Sequence, residues 1–225
     1  MKSIQIAIDG PSGAGKSTMA KLISQRLGIM YLDTGAMYRA LALKAIRLNI
    51  DTRNSEKVSE LLYDFDISIK YEDGSQKVIL GGEDVSDKIR TDEVSMGASN
   101  VSAIPAVRKR LVELQQEMAS NTSVVMDGRD IGTHVLPEAQ VKVFLTASVS
   151  QRALRRFNEQ KEKGTLKKGL EEIKKEIEIR DYNDSHRAAS PLKQADDAIL
   201  LDTSNYSIEE SVEKILEIIR SKEPA

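Results

Sequence analysis

Short apolar runs alternating with amphipathic helical segments place this chain among α/β proteins, with a doubly wound parallel sheet of five strands. Three observations carry that expectation. Ile4–Ile8, Ile29–Leu32, Ser123–Met126, Val141–Leu145 and Ala198–Leu201 are short, mostly apolar and bounded by polar residues, as parallel strands buried on both faces are. Helical periodicity lies between them, which is the alternation of a parallel sheet. The first run leads into a glycine-rich loop and then a helix, so a ligand is expected beyond the carboxyl ends of the strands.

That loop is Gly10-Pro11-Ser12-Gly13-Ala14-Gly15-Lys16-Ser17-Thr18, which fits G-x-x-x-x-G-K-[ST] with no mismatch. Glycines let backbone N–H groups curl around a phosphate, and the following helix, Met19–Leu27, offers its positive end. Lys16 adds a point charge for the β- and γ-phosphates, and the Ser17 hydroxyl suits Mg²⁺. A chance glycine-rich turn would need neither the strand before it nor the helix after it. These nine residues are expected to bind a nucleoside triphosphate.

After the second strand comes Asp33-Thr34-Gly35-Ala36-Met37-Tyr38-Arg39, which opens a helix. A helix N-terminus with an arginine is an anion site, although Asp33 or Thr34 reads equally well as a plain helix cap. Asp66–Tyr71 alternates with period two and is followed by Glu72–Ser75, Lys77–Leu80, Gly81-Gly82 and Glu83–Val85. This is a small antiparallel meander with turn residues where turns are needed, and it is expected to pack on the main body as an insert over about 65–92. Pro105 starts a helix whose face carries Val107, Leu111, Leu114 and Met118. The third strand then closes on Asp127, followed by Gly128-Arg129-Asp130. It resembles a Walker B strand, in which Asp127 would reach Mg²⁺ through water.

Two charged helices follow the fourth strand. Gln151–Arg156 begins the first, Gly164-Thr165 breaks it, and the second carries Leu170, Ile173 and Ile177. Arg180, Asp184 and Arg187 continue the direction of that apolar stripe, so they are expected to line a polar cleft rather than a solvated face, the alternative being an intrahelical ion pair on a helix that has already left the core. The pair of helices, about 152–180, reads as a mobile lid bearing Arg152, Arg155 and Arg156. A surface helical hairpin satisfies the spacing equally well. Ser207–Glu210 is a capping box ahead of Val212, Ile215, Leu216 and Ile219.

Composition narrows the function classes. The 225 residues are 40% hydrophobic and 30% charged with a net charge of −2, ordinary for one soluble domain and without the basic field that would favour nucleic acid. There is no cysteine, hence no disulfide framework or thiolate metal site. Met1-Lys2 passes directly into the first strand with no room for a signal peptide, and no apolar run approaches a membrane span. A monomeric, cytoplasmic protein with no nucleic-acid or membrane partner is expected. His134 and His186 have no recognisable site spacing. No guanine-reading Asn-Lys-x-Asp stretch is present, which argues against a regulatory GTPase. A phosphotransferase acting on an anionic small molecule needs several arginines and a lid that excludes water, and Arg39, Arg129, Arg180 and Arg187 meet that need.

Five stretches together resemble the bacterial cytidylate kinases, a family of nucleoside monophosphate kinases: Ile8–Thr18, Leu32–Arg39, Glu83–Ser86 with Ile89–Thr91, Asp127–Thr133 and Arg180–Arg187. The resemblance covers essentially the whole chain. It implies the P-loop kinase fold with a small antiparallel insert and a helical lid, and the reaction of ATP with CMP or dCMP, with Mg²⁺ as cofactor. It also implies that Arg39, Arg129 and Arg187 grip the acceptor phosphate, with Asp33 and Thr34 beside them. Ser99, Arg108 and Asp130 would read the cytosine edge, and Arg180 and Asp184 the sugar. Lys16, Arg129, Arg187 and Arg156 would be the catalytic groups, and Ser17 with Asp127 the metal site. A kinase for another monophosphate such as UMP, or a regulatory ATPase, is the alternative.

Overall fold

The computed structural model describes residues 3–72 and 75–222. Met1, Lys2 and the Asp73-Gly74 pair of the expected turn lie outside them. In chain order the elements are β1 (Gln5–Asp9), α1 (Lys16–Leu27), β2 (Met30–Asp33), α2 (Thr34–Arg47) and α3 (Ser55–Glu60). Next come β3 (Ile67–Glu72), β4 (Ser75–Leu80), β5 (Glu83–Asp84), α4 (Asp92–Ser102), α5 (Pro105–Ala119) and β6 (Val124–Gly128). The chain continues through β7 (Val141–Thr146), α6 (Val149–Glu162), α7 (Leu170–His186), β8 (Ile199–Asp202) and α8 (Ile208–Lys222).

Five strands form one parallel sheet in the order β2-β6-β1-β7-β8. The period of two along each strand divides the core between its faces. Ile6, Ile8, Val125 and Val143 pack with Met19 and Ile23 of α1 and Val212, Ile215 and Ile219 of α8. Ala7, Leu32, Val124 and Met126 face the other way, onto Ala119 of α5 and onto Ile131 and Val135. The expected strands are therefore all present, and each runs further at its carboxyl end than its apolar pattern. Asp9 pairs with Gly128, Asp33 with Asp127, and Thr146 with Asp202. The ladder is made by the backbone and continues past the last residue that needs burial.

One expectation is corrected. β8 is an edge strand instead of one buried on both faces: Leu200 is 56% exposed. The α8 cap forms as its residues require, with Ser207 Oγ accepting from the Glu210 amide at 3.1 Å and the Glu210 carboxylate from the Ser207 amide at 2.8 Å, a motif worth ~1 kcal/mol.

The insert is a three-stranded antiparallel sheet, β3-β4-β5. Its Val78 and Leu80 join a core built mainly from α2, α4 and α5. Helices α6 and α7 make an antiparallel hairpin over the carboxyl end of the main sheet, closed by Ala153, Ile173 and Ile177 with Val149, Phe157 and Leu166 around them. Among the described residues, no helix is long and apolar enough to cross a membrane.

Candidate active site

A cleft of about 200 Å³ opens at the carboxyl ends of β1, β2 and β6. Its wall contains every residue expected on the acceptor side: Asp33, Thr34, Arg39, Ser99, Arg108, Arg129, Asp130, Arg180, Asp184 and Arg187. Ser12, Gly13, Lys16 and Ser17 of the phosphate loop and Asp127 of β6 line the same space. Residues far apart in sequence meet here because parallel strands deliver their following loops to one edge.

The loop side is built on backbone geometry. Gly13 and Gly15 have φ of 74° and 91°, left-handed values that favour glycine, and a Cβ at Gly10 would overlap the Leu145 carbonyl. Lys16 is buried, and its Nζ donates to the Pro11 carbonyl at 2.8 Å. Burial and then the nearby Arg129 push its pKa down to about 7. Asp127 and Asp184 oppose that fall without cancelling it, and a further negative charge such as a phosphate would favour the protonated form. Ser17 Oγ donates to Asp127 Oδ2 at 2.8 Å, and the Tyr31 hydroxyl donates to Oδ1 at 2.8 Å. Burial and Asp33 raise the pKa of Asp127. An oxygen pair of this kind, a hydroxyl on a carboxylate beside the loop, suits a hard divalent cation that keeps most of its ligands as water and phosphate.

The opposite wall is a chain of alternating charges. Arg108 donates to Asp130, Arg187 lies 3.7 Å from Asp130 and 4.0 Å from Asp184, and Arg129 Nε donates to Asp184 Oδ2 at 2.7 Å. Burial opposes ionisation of Asp184, but Arg129 and Arg180 outweigh it and hold its pKa below the usual range. Burial and Arg129 lower Arg180 to about 10. Among the described residues, the Nε groups of Arg39, Arg108 and Arg180 and Nη2 of Arg187 are buried without a hydrogen-bond partner, an uncommon state for buried polar groups. The cap reading of Asp33 is what the structure shows, together with an ion pair. Its Oδ1 caps α2 through the Ala36 amide at 2.9 Å, while Oδ2 pairs with Arg39 at 2.7 Å. The Thr34 hydroxyl is spent on the Asp127 carbonyl at 2.8 Å.

The arginines of α6 divide. Arg152 is buried and holds the Ala147 carbonyl at 2.8 Å, the Ser12 carbonyl at 2.9 Å and Asp181 at 2.6 Å. Arg155 donates to Ala14 and Thr203 carbonyls at 3.4 and 2.6 Å. These two thus brace the phosphate loop from outside. Arg156, expected among the catalytic groups, stands outside the main cleft. It lies 3.4 Å from Asp92 and lines a neighbouring cavity of about 110 Å³ that shares Ser99 and Arg180 with the first.

Spacing alone does not point to Tyr38, Tyr31 or Asp181. Tyr38 lines the cleft with its ring 5.5 Å from the Arg108 guanidinium. The available signal is its position four residues after Thr34, on the same face of α2.

The model of the cytidylate kinase family matches residues 6–221. A cytidylate kinase of Lactobacillus johnsonii is 54% identical over 220 residues, covering 98% of this chain and 95% of the relative. One from Caldicellulosiruptor bescii is 54% identical over 221 residues, covering 97% and 96%. Among solved structures, an uncharacterised protein from Eubacterium ventriosum superposes with a TM-score of 0.53 at 14% identity, over 98% of this chain and 99% of that one, a likeness of fold alone. Phosphate loop, the Asp-Thr-Gly start of α2, Gly-Arg-Asp turn and arginine-bearing α7 all fall inside the matched span, and the chain belongs to the cytidylate kinase family.

Proposed function

We propose that this protein transfers the γ-phosphoryl group of ATP to CMP and dCMP, yielding ADP with CDP or dCDP by direct in-line displacement. The observation that carries the reading is the sharing of one cleft by a phosphate loop and a wall of arginines. Family membership supports it, since the relatives are named cytidylate kinases.

The donor triphosphate lies along Gly10–Thr18, with Lys16 at the phosphates between which the bond breaks. Arg39, Arg129 and Arg187 receive the acceptor phosphate. Its attacking oxygen is already ionised, so no strong general base is needed, and the residues contribute alignment and charge neutralisation. Arg156 is the lid arginine that approaches the transferring group, and this step requires it to leave Asp92. Ser17 and Asp127 would hold Mg²⁺, which when bound neutralises charge on the phosphate oxygens. Ser99, Arg108 and Asp130 read the base. Arg108 occupies Asp130 Oδ2, leaving Oδ1 to accept from the exocyclic amine of cytosine, where uracil presents an oxygen. Arg180 and Asp184 hold the sugar.

Core, insert (about 65–92) and lid (about 152–180) act as one kinase domain. The lid is the α6–α7 hairpin, whose closure would exclude water and favour transfer over hydrolysis.

The test is ADP production from ATP with CMP, dCMP, UMP, AMP or no acceptor. Turnover dependent on CMP and dCMP is the expected result. A preference for UMP or AMP would reassign the acceptor, and acceptor-independent turnover would make the protein an ATPase.

A further inference from the structure

The Gly128–Gly132 turn carries two of the groups assigned to the acceptor, Arg129 and Asp130, on two consecutive residues that belong to no regular ladder. Both ends of that turn are held by one residue. The backbone of Asp9, the last residue of β1, lies opposite Gly128 in the parallel ladder. Its side chain then reaches past the two intervening residues, Oδ1 accepting from the Ile131 amide at 2.8 Å and Oδ2 from the Gly132 amide at 2.7 Å. Arg129 and Asp130 are therefore clamped between the main chain and the carboxylate of Asp9. From this geometry we infer that Asp9 is a positioning residue for acceptor selection, setting where Asp130 meets the base and Arg129 the phosphate.

The clamp calls for a carboxylate. Two parallel N–H groups need two acceptors, and the ionised carboxylate is a side chain offering acceptors at both ends. An asparagine of the same shape would turn one amide hydrogen toward an N–H and release one anchor. The arrangement is kept against a cost, because Asp9 is 5% exposed and burial raises its pKa to about 6 even with both amides bonded. Asp130 adds to that rise and Lys16 opposes it. Asp9 also precedes Gly10, so its backbone starts the donor loop while its side chain serves the other substrate. The two roles are separable by substitution.

This inference rests on the acceptor reading above, and its test keeps the two apart. Asp9→Asn is compared with the wild type in kcat and KM for ATP, CMP and UMP, with a thermal melt to verify folding. The expected result is a rise of about tenfold in KM for CMP and a fall of about tenfold in the CMP-to-UMP ratio of kcat/KM, the scale of one lost charge-assisted hydrogen bond. KM for ATP should stay within about twofold by the same reasoning, since the donor phosphates touch none of the bonds removed. An unchanged ratio overturns the inference, as does a parallel rise in both KM values. Hydrogen exchange on the nucleotide-free wild type supplies a second arm that needs neither variant nor acceptor. The Ile131 and Gly132 amides should already be protected, and CMP should change them little. Exchange at the speed of an exposed loop would overturn the clamp, whereas loss of CMP preference in the wild type would overturn only the acceptor reading.

Discussion

Asp130→Asn removes one charge with almost no change of shape, and the structure dictates how the new amide must lie. Arg108 offers only donors, so the asparagine oxygen has to face it, which on the proposed reading turns the NH₂ toward the base. The base edge thereby loses an acceptor and gains a donor. Cytosine, presenting an amine, is repelled, and uracil, presenting an oxygen, is welcomed. A base-edge hydrogen-bond match is worth ~1–3 kcal/mol, so the CMP-to-UMP ratio of kcat/KM should fall by about 10- to 100-fold. Stability falls as well. Arg108 is 4% exposed and Arg187 is 3.7 Å away, and the substitution turns a paired buried charge into one that is only hydrogen-bonded. Complete loss of a partner costs ~3–5 kcal/mol, whereas one charged hydrogen bond is worth ~1.5–3. A loss of ~1.5–2 kcal/mol follows, since the amide keeps one bond. For a chain of this size that lowers Tm by about 3–8 °C. ADP release with each acceptor and melts without nucleotide measure both effects. A lower Tm with an unchanged ratio would leave Asp130 a purely structural group, and no change in either would refute the pairing itself.

Lys16→Met should cut transfer by about 10²- to 10³-fold or more, as losing a donor to transition-state charge does, yet raise Tm near neutral pH because a buried ammonium is gone. The sign follows from linkage. With a folded pKa of about 7 against 10.5 for the free side chain, the unfolded chain holds the extra proton between those values. The stability contributed by Lys16 therefore climbs with pH across that window and is smallest below it, and melts of wild type and variant from pH 6 to 9 should converge as pH rises. Arg152→Lys replaces a fork by a point donor that cannot hold the Ser12 and Ala147 carbonyls and Asp181 together. KM for ATP should rise about tenfold with KM for CMP less affected, and equal KM values in variant and wild type would dismiss the brace. Limited proteolysis near Gly164 should slow when a non-hydrolysable ATP analogue and CMP are both added, and equal cleavage with and without them would count against lid closure.

Much of the site is legible in the sequence because phosphate chemistry restricts which residues can serve it. A glycine loop ending in Lys16-Ser17 has few other uses, and arginines in line with an apolar stripe on α7 announce a cleft. The less legible parts have physical causes. The apolar pattern stops at Ile8, Leu32, Met126 and Leu201, yet the ladders run on through acids, since a strand end at the cleft has no core to face. Helix α4, which delivers Ser99, buries Gly97 and Ala98 beside Val94 and Val101, and the close fit of Gly97 against Ala42 and Thr52 is set by tertiary packing that the helix's own sequence does not record. Which strand forms the sheet edge is a matter of topology, so the exposure of Leu200 on β8 is invisible in its composition. Asp9 shows the limit most clearly. It stands beside the phosphate loop in sequence, but its side chain belongs to a turn more than a hundred residues away, and no spacing rule records that distance.

The alternating chain from Arg108 to Arg129 has a consequence for ligand choice. Arg108, Arg187 and Arg129 each face a carboxylate, while Nε of Arg108 and Nη2 of Arg187 have no hydrogen-bond partner among the described residues, so an incoming anion both meets open donors and exchanges partners. On the proposed reading, a phosphate that takes Arg129 from Asp184 leaves that carboxylate in need of a new donor. A nucleotide brings sugar hydroxyls to the same place and completes the exchange in one molecule. Inorganic phosphate brings nothing to the abandoned end and leaves a buried negative charge short of a hydrogen bond. On that reading the wall would act as a two-key lock against the small anions that surround every nucleotide in solution.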